Sequence, residues 1–139
     1  MTVLDTCVIS EALRPSPHPG VERWIDSIPE ETVYVPSLVL GELQKGVDLI
    51  PESDRREAMA IWLHQFKDRF AGRILPVGEA AAVEWGHLCA KLQRIGCPLP
   101  VIDSLLAAVV LANDAVFATR NVRHFEPTGI HVINPWGLP

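Results

Sequence analysis

Asp5, Glu42 and Asp103 stand far apart in the chain, and each borders a segment apolar enough to be buried. Asp5 closes Thr2-Val3-Leu4, Glu42 interrupts an apolar helical pattern made by Leu38, Leu40, Leu43 and Val47, and Asp103 stands just ahead of the apolar run 105–112. A charge taken out of water is costly unless it is paired, so acids at such places need a partner or a task. Brought together, the three would repel, and at least one would take up a proton unless a cation joined them. Oxygen donors without a supporting Cys or His pair select Mg2+ or Mn2+ over zinc, with water and a substrate phosphate completing the shell. Such an ion polarises a phosphoryl oxygen and activates water for in-line attack, so convergence of the three acids would mean phosphodiester hydrolysis. Each acid also has a plainer reading: Asp5 as a strand-end turn, Glu42 as a solvated helix flank, Asp103 as a helix N-cap.

The elements that must position them follow from periodicity and breakers. Residues 2–5 read as a short buried strand, and 6–13 have helical spacing that stops in Arg14-Pro15-Ser16-Pro17-His18-Pro19-Gly20. Residues 21–28 form an amphipathic helix and 32–35 a second strand; Pro36-Ser37 then starts a helix to residue 49, with Ser37 as its N-cap. Ser53 or Asp54 caps a long helix to residue 70, followed by a third strand over 74–77 and a helix over 78–94. Pro98 and Pro100 bracket a loop that runs to Ser104, where the apolar helix 105–112 begins. A fourth strand over 115–119, a loop over 120–129 and a fifth strand over 130–133 complete the chain. Short apolar strands alternating with helices indicate an α/β fold: a parallel sheet of about five strands flanked by helices on both faces.

In an open parallel sheet the ligand crevice lies beyond the carboxyl ends of the strands, where strand order reverses. Asp5 ends strand one. Thr119 ends strand four, so the polar loop Arg120-Asn121-Val122-Arg123-His124 reaches the same crevice if strands one and four are neighbours. Asn121 then either orients a metal water or phosphate or simply folds the turn. Thr6 and Thr119 offer hydroxyls there, Arg120 and Arg123 are candidates for an RNA backbone, Ser104 reads as a cap, and His124 beside Phe125 as a packed or hydrogen-bonded histidine.

The 139 residues fit a single domain, 1–139, with a core of its own. With 48% hydrophobic residues and a mean hydropathy of +0.19, a buried sheet and a subunit interface are expected, the latter from helix faces carrying Trp24, Trp62 and Trp85. A net charge of −5 excludes a protein that coats nucleic acid, though not one whose acidic pocket binds cations. No stretch is long and apolar enough for a membrane span, and the N-terminus runs straight into a strand, which points to a soluble cytoplasmic protein. Cys7, Cys89 and Cys97 lack metal or disulfide spacing.

Four segments taken together resemble the PIN-domain ribonucleases: Val3-Leu4-Asp5-Thr6-Cys7-Val8-Ile9-Ser10-Glu11; Pro36-Ser37 through Gly41-Glu42-Leu43 and Gly46; Ile102-Asp103-Ser104-Leu105-Leu106-Ala107-Ala108; and Ala118-Thr119-Arg120-Asn121-Val122-Arg123-His124-Phe125. The likeness is greatest to VapC-type toxins of the FitB-like branch and covers nearly the whole chain in order. The resemblance implies a Mg2+- or Mn2+-dependent endoribonuclease, a homodimer held inactive by a cognate antitoxin, with Asp5, Glu42 and Asp103 as metal ligands. A fourth family acid belongs at the position of Asn121 or of His124, and neither is acidic here, which leaves one tight metal site as the expectation. Cys7 stands where the family has an Asn that orients the first aspartate, and a thiol is a weak donor.

Competing readings fare worse. A phosphoryl receiver needs an acid at the end of strand three, which ends in Val77-Gly78, and a phosphatase with an aspartate nucleophile needs one at position 7. A catalytically weak PIN-like module that binds RNA or an antitoxin without cutting remains the alternative.

Overall fold

Val3 has no exposed surface, and its strand, β1 (Thr2–Leu4), lies at the centre of the sheet. The computed structural model describes residues 1–137. Among them, five strands run in the order β3-β2-β1-β4-β5, all parallel, with β2 at Val33–Pro36, β3 at Ile74–Leu75, β4 at Val116–Ala118 and β5 at His131–Ile133. Seven α-helices accompany them: α1 (Thr6–Ala12), α2 (Pro19–Ser27), α3 (Ser37–Asp48), α4 (Asp54–Arg69), α5 (Glu79–Arg94), α6 (Val101–Ala112) and α7 (Val122–Phe125). The chain moves outward from β1 through β2 to β3, crosses back over α5 and α6 to β4, then continues outward to β5. Strand order therefore reverses between β1 and β4, and the right-handed rule for parallel crossovers assigns α1–α4 and α5–α7 to opposite faces.

Register fixes what meets at that reversal. Leu4 pairs with Ala118, and the Asp5 N–H extends the ladder to the Ala118 carbonyl at 3.0 Å. Asp5 is thereby set beside the end of β4. On the far side of β4, the Thr119 N–H reaches the Ile133 carbonyl at 3.0 Å.

Helix α6 is buried on most of its surface, with Ala107 and Ala108 fully covered, and it packs against α5. Val39, Leu43 and Val47 recur every fourth residue and form the buried stripe of α3, which turns Glu42 toward the rim. Phe117 on β4 meets Phe125 on α7 edge-on at 5.0 Å, both buried, so α7 is pinned against the sheet. The Glu11 carboxylate, buried at the end of α1, accepts the His18 N–H at 2.9 Å and an Arg14 N–H at 3.3 Å, which fixes the turn into α2.

Several expectations need correction. Ser37 is the first residue of α3 rather than its cap; Pro36 holds that position, and its side chain has no group to cap the helix. Strand three stops at Leu75, since Pro76 has no N–H to continue a ladder. Helix α6 starts at Val101, so Asp103 is inside its first turn and Pro100 is the cap residue. Part of the expected loop after β4 is α7, followed by a 3-10 turn at Glu126–Thr128. Trp24 is buried in the core and is not available to a partner, whereas Trp62, packed on Phe66, and Trp85, which donates its indole N–H to Ser104, stay half-exposed. Among the described residues, no helix is long and apolar enough to cross a membrane.

Candidate active site

Asp5 caps α1. Its Oδ1 accepts the Thr6 N–H at 2.8 Å, and its Oδ2 accepts the Thr119 hydroxyl at 2.6 Å with the Cys7 thiol at 3.6 Å. The residue is 7% exposed, and Thr119 is fully buried. The Thr119 hydroxyl also accepts the Asn121 N–H at 3.1 Å, and the Arg120 N–H points at the Cys7 sulfur at 3.4 Å. Asp5 and the loop after β4 thus form one hydrogen-bonded unit. Thr119, expected to face a substrate, instead holds Asp5, and it supplies the strong donor that Cys7 lacks. Burial pushes the Cys7 pKa up, helped by the charge of Asp5, which keeps the group a neutral thiol.

Glu42 faces the same rim from α3. Its Oε1 accepts the Thr6 hydroxyl at 3.0 Å, so Thr6 links the first and second acids through backbone and side chain. Partial burial of the carboxyl raises the Glu42 pKa. The Thr6 hydroxyl counters this, while the charges of Asp5 and then Asp103 push it up further. The three acids are therefore near enough to act on one another electrostatically.

Asp103, in the first turn of α6, enjoys the favourable end of the helix dipole. Ser104 behind it donates to the Val101 carbonyl at 2.7 Å and receives the Trp85 N–H at 2.9 Å, tying this turn to α5. The Asp103 Oδ2 lies 2.8 Å from the His124 Nε2, and the His124 ring stands edge-on to Phe125 at 5.4 Å. Of the two expected readings, packed or hydrogen-bonded, the exposed His124 is the hydrogen-bonded histidine. That its partner is Asp103 was hidden in the sequence, because the contact joins the first turn of α6 to a short helix read as loop.

Two depressions lie here, the first lined by Glu42 and Asp103 and the second by His124, the partner of Asp103. One, of about 820 Å3, is lined among others by Thr6, Glu42, Lys45, Leu49, Ile102 and Asp103. The other, of about 470 Å3, is lined by Arg120, Asn121, Val122, Arg123, His124 and Asn134. Asn121, Arg120 and Arg123 are exposed, with the Arg120 guanidinium 5.4 Å over the Trp136 ring. Among the described residues, no three His, Cys, Asp or Glu side chains close into a ready-made metal cluster. Each acid is engaged by an internal donor: Asp5 by Thr119, Glu42 by Thr6 and Asp103 by His124.

The model of the PIN domain matches residues 2–129. This chain belongs to the PIN-domain family. Within it, the chain is 36% identical to plasmid stability protein StbB of Pseudomonas syringae pv. tomato, covering 98% of this chain and 99% of the relative. It is 34% identical to toxin FitB of Neisseria gonorrhoeae (98% and 99% covered) and 34% identical to VapC ribonuclease Y4jK of Sinorhizobium fredii (98% of each). Among solved structures, FitAcB from Neisseria gonorrhoeae superposes with a TM-score of 0.94 at 34% identity, over 99% of this chain and 100% of that one. VapBC-5 of Mycobacterium tuberculosis, a member of the VapBC family of toxin-antitoxin systems, gives 0.67 at 25% identity, over 96% and 97%. The PIN chain described here therefore sits with the VapC and FitB toxins, as its four motifs implied.

Proposed function

We propose that this PIN chain is the toxin of a toxin–antitoxin pair: a Mg2+- or Mn2+-dependent endoribonuclease, restrained by a cognate antitoxin. The observation that carries this reading is the set of three acids on one rim at the strand-order reversal, with Glu42 pushed up by burial and by the charges of the other two. The donor set fits a hard divalent ion in chemistry: carboxylate oxygens, mutually repelling, beside Thr6 and open to a cleft. Asp5, Glu42 and Asp103 would hold the ion, which when bound supplies Lewis-acid polarisation of a phosphoryl oxygen and activation of water.

The chain's own groups do the positioning. Thr119 and the Thr6 N–H hold the Asp5 carboxylate in one orientation, so one ligand is preorganised. Thr6 keeps Glu42 turned to the rim, and His124 fixes Asp103. Asn121 orients water or a phosphate oxygen, while Arg120 and Arg123 meet the RNA backbone. The relatives named ribonuclease and toxin support the activity, and the toxin–antitoxin systems among the solved neighbours support the protein partner. Exposed Val83, Ile95, Val101 and Ile102 on and beside the α5–α6 pair support a homodimer. A monomer at micromolar concentration by light scattering would count against that assembly.

The test is cleavage of a structured RNA pool by partner-free protein in Mg2+, Mn2+ or EDTA, beside Asp5→Ala prepared identically. Metal-dependent cutting that the variant loses is the expected result. The second reading, a PIN-like module that binds RNA or the antitoxin without cutting, is favoured by Cys7, a weak donor beside Asp5, and by the neutral Asn121 and His124 where a fourth acid was expected. Folded protein that binds RNA and cuts in no metal would select it.

A further inference from the structure

We propose that the depression beside His124 is a nucleotide subsite that seats one residue of single-stranded RNA next to the acids; this rests on the RNA-cleaving reading above. Asp103 lines the larger cleft, and its hydrogen-bond partner His124 lines the smaller depression, so a strand that crosses the acids enters both. The two sides differ in chemistry. The larger cleft offers Lys45 with apolar Leu49 and Ile102, whereas the smaller one brings two arginines and two amides together. Among the described residues that line it, none is acidic, in a chain whose net charge is −5. Beyond Lys45, which faces the acids in the larger cleft, a polyanion repelled by them finds two further positive charges there.

Each group has a task that nucleic-acid recognition requires. Arg123, exposed on α7, is free to meet a phosphate. Arg120 sits over the Trp136 ring, which restrains its guanidinium and makes the pair a surface on which a base can stack. Asn134 carries an amide, a group that reads base edges by paired hydrogen bonds, beside Asn121 at the phosphate. Asn134 is itself held in place, since its Oδ1 accepts the Trp136 N–H at 3.1 Å. A volume of about 470 Å3 lies in the range of small-ligand sites, enough for a nucleotide. The depression thereby chooses which base lies beside the scissile phosphate, and the acids cut.

The experiment uses the full chain free of partner, with Arg123→Ala and Asn134→Ser, both checked for unchanged melting temperature. Serine keeps an oxygen acceptor for the Trp136 N–H while removing the amide. Binding of a labelled random single-stranded RNA is titrated in EDTA at several salt concentrations, and product ends from a random RNA pool are sequenced in Mn2+. Arg123→Ala is expected to weaken binding about tenfold, whatever the sequence, and to lower the salt slope by about one. Asn134→Ser is expected to relax the base preference at one position beside the cut. Wild-type cutting with neither variant distinguishable from it would overturn the subsite alone. Loss in Arg123→Ala of binding to a poly-glutamate peptide, with RNA binding unchanged, would overturn it in favour of protein docking. Wild type that neither binds nor cuts RNA would overturn the nuclease reading with it.

Discussion

Glu30 and Glu42 are the same side chain in opposite electrostatic settings. Glu30 receives two N–H groups of Arg69 at 2.7 and 2.9 Å, with Arg73 at 3.4 Å, and Arg69 foremost holds its pKa down to about 2. Glu42 has acids for neighbours, and burial together with Asp5 and Asp103 pushes it up. The first carboxylate is complete: it fastens the turn before β2 to the end of α4, while Arg73 also donates to the Glu30 and Val33 carbonyls. The second belongs to a group whose charge the chain itself does not balance. Fixed arginines mark structural acids, and acids that repel one another mark a place for a cation.

The sharpest way to break this comparison is to remove an acid from each cluster. Asp5→Ala or Asp103→Asn should take metal-dependent RNA cleavage to background, while Glu30→Gln should leave the rate unchanged, as read from end-labelled RNA. Equal losses from both clusters would mean that folding, not chemistry, is being measured.

A smaller effect should come from the shell behind Asp5. Thr119→Val keeps the buried shape and removes the 2.6 Å hydroxyl donor, so Mn2+ affinity by calorimetry and cleavage should each fall about 10- to 100-fold. Thr119→Ser should restore most of both. Should Val bind Mn2+ as tightly as wild type, Cys7 and the Thr6 N–H would be enough to orient Asp5.

Glu42→Gln tests the cost of this charge, set first by burial and then by the neighbouring acids. Because the folded pKa is raised, the ionised carboxylate carries a cost above that pKa which disappears below the unfolded value of about 4.3. Metal-free Glu42→Gln should therefore melt above wild type at neutral pH, with the gap closing as pH falls toward that value. Added Mn2+ should reverse the order, since it stabilises the protein that retains its ligand. An unchanged melting point at every pH would show that neither burial nor the neighbouring acids make the Glu42 charge costly.

How much of this the residues disclosed depends on the range of the interaction. Strand–helix alternation, Asp5 at a strand end, Glu42 inside an apolar helical pattern and Asp103 ahead of an apolar run are local patterns, and the alternation located the sheet. Boundaries set by proline were misplaced, as at Pro100, where α6 begins before Asp103, and at Pro76, which cuts β3 short. The roles of Thr119 and His124 depend on contacts across 114 and 21 positions, which no spacing rule reads. Trp24 looked like an interface residue for the same reason: amphipathic spacing says that one face is covered, not what covers it.

The smallest expected effect lies at the structural acid and gives the comparison its opposite sign. Glu30 has its folded pKa lowered, so its pairing stabilises the fold fully above the unfolded value of about 4.3, and that contribution is lost as pH falls through about 2. Glu30→Gln should melt slightly below wild type at neutral pH, and the two curves should converge as pH approaches 2. The deficit should be modest and should shrink with added salt, because Glu30 and Arg69 are both well exposed and water screens their attraction. In Glu42→Gln the gap also closes on acidification, but from the other side, with the variant the more stable. A Glu30→Gln protein that melted above wild type would place both acids in the same class and remove the ground for reading either from its neighbours.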